Sequence, residues 1–106
     1  MLSNEDKKIF DRFASMVRNK FPTAKIWAFG SRVSGDATFE SDLDVCVVVD
    51  KLDDESDSVI MEIAWRIGFE NDVIISTVTY STEEFEDGPC SESGLVQNIL
   101  GYGIAA

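Results

Sequence analysis

The 106-residue chain contains no histidine. That removes Ser-His-Asp and Cys-His catalysis and nearly all zinc chemistry outside thiolate sites. Two cysteines, Cys46 and Cys90, are too few for a thiolate zinc site or a disulfide framework. Cys46 lies inside an apolar run and reads as a small buried hydrophobe. Positive charge is also scarce: 9 Lys and Arg stand against 20 Asp and Glu, a net charge of −11. Binding a nucleic-acid backbone needs a basic surface, so DNA and RNA are not expected partners. No apolar run approaches the roughly 20 residues of a membrane span. Met1 is followed by Asn4, Glu5 and Asp6 rather than by a basic-then-apolar leader. A cytoplasmic protein with no membrane partner is the expectation.

What is present is enough for a core: 44% hydrophobic and 10% aromatic residues predict one folded domain over 1–106. The acid excess suits a basic protein partner as well as plain solubility. A small nucleotide also fits, because metal ions bridge phosphates to acidic side chains.

Apolar residues at helical spacing (Ile9, Phe10, Phe13, Ala14, Val17) predict a helix over 4–20, with Asn4 as its cap and Pro22 beyond it. Glu5, Asp6 and Arg18 are expected on its outer side. A short strand over 25–29 follows and breaks at Gly30-Ser31, where Ser31 can cap a turn over 32–34 closed by Gly35. A helix start placed after a strand attracts anions, although an ordinary strand-to-turn connection fits Gly-Ser equally well. Leu43 to Val49 is the clearest strand, and Asp42, Asp44, Cys46 and Val48 share one of its faces. Residues two apart lie roughly 6.5 Å apart on such a face. Their like charges repel, which a divalent metal would relieve; a frayed strand start in solvent is the plainer alternative.

A second helix carries Val59, Ile60, Ile63, Ala64 and Ile67 inward, with Trp65 and Phe69 near its margin. The strand over 73–80 should return parallel to the first acidic one. Its predicted alternation sets Asp72, Ile74, Ser76, Val78 and Tyr80 on one face. Ser81-Thr82-Glu83-Glu84 is a capping-box pattern, and a last helix spans about 93–100 with Gly101 as terminator. The fold expected is α/β (α+β): a mixed sheet of three to four strands with helices packed on one side.

Gly30-Ser31, ten residues, then Asp42-Leu43-Asp44 opening a Val-rich strand resembles the G-S-x10-D-x-D signature of the DNA polymerase β-type nucleotidyltransferases. The short chain is similar to their minimal nucleotidyltransferase branch, whose members are commonly antitoxins partnered with HEPN-domain toxins. The resemblance implies that Gly30 and Ser31 hold nucleotide phosphates, with Arg32 beside them. It implies that Asp42 and Asp44 bind metal, with two Mg²⁺ ions and ATP as the expected cofactor and substrate. The third carboxylate of the family falls to Asp72, with Glu70 near and Ser76 as the alternative occupant of that position. AMP transfer to a tyrosine of a HEPN toxin, in a homo- or hetero-oligomer, is the function so implied. A site lacking the third carboxylate would instead serve a binding module that neutralises the toxin by complex formation.

Overall fold

The computed structural model describes residues 2–35 and 42–106. The loop 36–41, expected to carry the chain from turn to carboxylates, lies outside the described residues. Helix α1 spans Asn4–Lys20, and its cap is Ser3 rather than Asn4: the Ser3 Oγ accepts the Asp6 N–H at 3.1 Å. Ser3 has the extended backbone a cap needs, while Asn4 already lies within the helix. Strand β1 (Lys25–Phe29) leads into a single helical turn, α2 (Ser31–Ser34), then β2 (Leu43–Val49). Helix α3 runs over Asp54–Asn71. Asp53 and Ser56 exchange hydrogen bonds there in a reciprocal cap. The Ser56 amide and then its hydroxyl hold the Asp53 carboxyl below its usual pKa.

Strand β3 spans Ile75–Ser81, two residues later than the alternation implied. The reason lies at the end of α3, where Asp72 takes left-handed backbone (φ 55°, ψ 44°) and the Val73 N–H turns back to the Gly68 carbonyl. A Cβ at Gly68 would strike the Val73 carbonyl, so this close return requires glycine. Strand alternation therefore never reaches Asp72. The Ser81/Glu84 capping box opens α4 (Thr82–Glu86) as the sequence pattern indicates. A 3-10 turn over Pro89–Glu92 precedes α5 (Gly94–Tyr102) and the short strand β4 (Ile104–Ala105). Helix α5 continues through Gly101 and ends where the Gly103 N–H meets the Ile99 carbonyl.

The four strands lie in the order β3-β2-β1-β4. Strand β2 is antiparallel to β1 and parallel to β3, which makes the sheet mixed. Strand β4 adds an antiparallel edge by pairing Ala28 with Ile104. On one side the long helices α1 and α3 bury Phe10, Phe13, Ile60 and Ile67 against Leu43, Val45 and Val47. Helices were expected on one side only, but the other side too is closed, by α4 and α5, whose Phe85, Val96 and Ile99 pack on Phe29, Cys46 and Val48. With both faces covered, β2 reads as a continuous apolar run after Asp44. Burial pushes the Cys46 thiol up to about 12, so it is an inert core group. Among the described residues no helix is long and apolar enough to cross a membrane.

Candidate functional site

The β1–β2 register sets Phe29 opposite Asp44, so the next residue, Gly30, arrives directly over the Asp44 side chain. Gly30 has φ 83°, and a Cβ built there would collide with the Asp44 carboxylate oxygen. Two requirements thus converge on glycine: left-handed backbone and contact with an acidic group. The Gly30 carbonyl receives the N–H groups of Val33 and Ser34 at 3.1 and 3.0 Å, which starts α2. The Ser31 amide, first in that turn, has no carbonyl within the turn to donate to. The turn and the carboxylate pair, a dozen residues apart in sequence, share one site.

Asp44 is half-buried, and its carboxyl is raised above the usual range by loss of solvent first and by the charge of Asp42 second. The parallel β2–β3 register places Ser76 beside Asp44. From there the Ser76 hydroxyl donates to Asp42 Oδ2 at 2.8 Å. Asp42, Asp44 and Ser76 therefore form a cluster of two carboxylates and one hydroxyl. Hard oxygen donors of this kind match Mg²⁺ better than softer metals.

Asp72 stands elsewhere: it is exposed at the left-handed end of α3, in the wall of a groove that also includes Asp42 and Arg32. Among the described residues no three His, Cys, Asp or Glu side chains are placed to hold one metal ion. Asp72 thus does not join the two aspartates in a three-carboxylate group. Glu70 is engaged with Arg12 of α1 at 2.8 Å on the protein surface. The strand position next to Asp44 belongs to Ser76.

Arg32 follows the turn and pairs with Asp6 of α1 at 2.7 Å, with side chains only 14% and 12% exposed. This buried pair fastens α2 to the first helix. Asp6 was read as an outer residue; the structure buries it. The signal was available, because Asp6 precedes Ile9, Phe10 and Phe13 at the spacing of the buried stripe. Two recesses flank the cluster. One, about 590 Å³, lies on the Gly30 side against Ser34, Asn98 and Tyr102. The other is the Asp42 groove, about 710 Å³, walled by α3 and the start of β3.

The structure thus packs a glycine turn against two aspartates at one end of a mixed sheet. The chain belongs to the nucleotidyltransferase domain family, whose sequence model matches residues 10–105. Among solved structures it is similar to a mutant of the toxin-antitoxin MntA-HpeT (TM-score 0.63, 21% identity, 97% of this chain and 72% of that one). It is equally similar to a toxin-antitoxin with AMP-PNP (TM-score 0.62, 21% identity, the same coverage). A second MntA-HpeT mutant gives a TM-score of 0.59 at 22% identity, over 91% of this chain and 69% of that one. At these identities the likeness is one of fold. No curated protein matches the chain in sequence.

Proposed function

We propose that this chain is a Mg²⁺-dependent nucleotidyltransferase that moves AMP from ATP to a tyrosine of a cognate HEPN toxin, acting as its antitoxin in the cytoplasm. The observation that carries this reading is the packing of Gly30 on Asp44, which gives phosphate donors and carboxylates one address. In the reaction the acceptor oxygen forms a bond to the α-phosphorus, and the bond to the bridging oxygen breaks. Pyrophosphate departs with that electron pair, and the hydroxyl proton passes to solvent or a carboxylate. The Ser31 amide and the neighbouring turn hold the β- and γ-phosphates, while Arg32, anchored by Asp6, lies beside the triphosphate. Asp42 and Asp44 hold Mg²⁺, which when bound neutralises charge developing on the phosphoryl oxygens. Ser76 keeps the Asp42 carboxylate in place by donating to it. Asp72, which lines the same groove as Asp42, is a further acidic side chain available to approach bound nucleotide.

The neighbour bearing AMP-PNP, an ATP analogue, supports ATP as donor, and the three toxin-antitoxin neighbours support a toxin as acceptor. Incubation with Mg²⁺, labelled ATP and the toxin encoded by the adjoining gene tests the reading. Label should reach the toxin and disappear with Asp42→Asn or Asp44→Asn, each lowering transfer at least about 100-fold. A second reading is favoured by Ser76 of β3, a hydroxyl and not a carboxylate, standing beside Asp44. The fold would then neutralise the toxin by covering it, and toxin inhibition would persist in both variants with no label transferred.

A further inference from the structure

Helix α3 is apolar on two faces. Its inner face, Ile60, Ile63, Ala64 and Ile67, packs into the core. Its outer face repeats the pattern at intervals of four: Met61, Trp65 and Phe69 are 55%, 70% and 75% exposed, and Ile74 beside them is 67% exposed. Trp65 and Phe69 stack on each other with ring centroids 5.4 Å apart and planes 14° from parallel. These side chains wall the same groove that reaches Asp42. Contiguous exposed apolar side chains of this kind are the usual mark of a binding surface.

The charges around the stripe decide what fits it. Helix α3 carries Asp54, Glu55, Asp57, Glu62 and Glu70 against the single base Arg66; Glu70 is paired with Arg12 of α1, Asp57 accepts from the Thr79 hydroxyl, and Arg32, which lines the same groove, is held by Asp6. Arg66 is paired with Glu62 on the surface, and Asp72 extends the acidic margin. A second copy of this chain would bring −11 against −11 and acidic rim against acidic rim. We propose that the outer face of α3 docks the partner protein through apolar side chains framed by lysine and arginine, and so presents the acceptor hydroxyl at the Asp42 end of the groove. The inference rests on the toxin reading and deepens it by placing the partner on one face.

The test uses the full chain, the purified toxin from the adjoining gene, and a triple variant Met61→Ala, Trp65→Ala, Phe69→Ala. All three positions are more than half exposed, so the variant is expected to melt with the wild type. The expected result is at least about 30-fold weaker toxin binding with Mg²⁺-ATP affinity unchanged, as for loss of clustered aromatic anchors. Glu62→Lys, on the rim, should weaken binding less and reduce its sensitivity to salt. Equal toxin binding by wild type and triple variant would overturn the docking surface and leave the toxin reading standing. Loss of ATP affinity in the triple variant would give the groove to the nucleotide and overturn it too. A wild-type dimer that the triple variant abolishes would assign the face to a second copy, against the proposal. Failure of the wild type to bind the toxin at all would remove both readings.

Discussion

The two ends of β2 obey opposite rules. From residue 45 to 49 every side chain is buried, the neighbours are apolar on both faces, and the strand serves the core. One residue earlier, Asp44 is half-buried beside a second carboxylate, under a glycine whose backbone most residues avoid. The first arrangement lowers the free energy of the fold; the second raises it in order to hold a charge cluster at a fixed place. Such a cluster survives because the buried end, and the Arg32–Asp6 pair, hold the surrounding backbone. Stability and chemistry are thus divided within seven residues of one strand.

Substitutions at each end sharpen this division. The largest loss of stability is expected from Arg32→Ala, which leaves Asp6 charged and largely buried: about 3 kcal/mol in denaturant unfolding, with transfer lost as α2 detaches. Val47→Ala at the core end should cost about 2 kcal/mol through the cavity it leaves. Below the unfolding transition its transfer rate per folded molecule should match the wild type, and a large drop would mean the two ends are coupled. Gly30→Ala should cost about 1–2 kcal/mol from backbone strain yet reduce transfer at least about 100-fold, because the Asp44 carboxylate must move. Equal transfer by this variant would break the link between turn and carboxylates.

The smallest effect has the opposite sign. The Asp44 carboxyl is raised, so the folded chain binds its proton more tightly than the unfolded chain does. Stability from this group is therefore greatest in acid and falls as pH rises above the ordinary value of 3.8. Asp44→Asn should accordingly stabilise the metal-free protein at pH 7, by under about 1 kcal/mol, and the gain should vanish near pH 3. Saturating Mg²⁺ should reverse the order by stabilising only the wild type. A variant less stable than wild type at neutral pH without metal would mean that Asp44 is not strained there.

Much of this was legible along the chain. The apolar spacing of α1 and α3, the Val-rich β2 and the Ser81/Glu84 box depend on residues within a turn or two of each other, and each emerged where expected. Gly30, Ser31, Asp42 and Asp44 stood out for a different reason, the resemblance of their arrangement to a family signature. The errors fell where one residue had two plausible local roles. Asp72 could open a strand or close a helix, and the return of Val73 to Gly68 chose the helix. Gly101 and Gly103 were both able to end α5, and the docking of β4 on β1 goes with the later one. Trp65 and Phe69 read as margin because a helix with two apolar faces looks like one with a broad single face.

By itself, then, the order of residues determined most of the elements and the buried stripes, since these follow from propensity and periodicity over short stretches. Only the tertiary structure decided that Gly30 lies on Asp44, that Ser76 rather than Asp72 stands next to it, and that Asp6 holds Arg32. Those facts depend on strand register and helix docking. Both are selected by how the whole apolar surface packs, and no local pattern contains that choice.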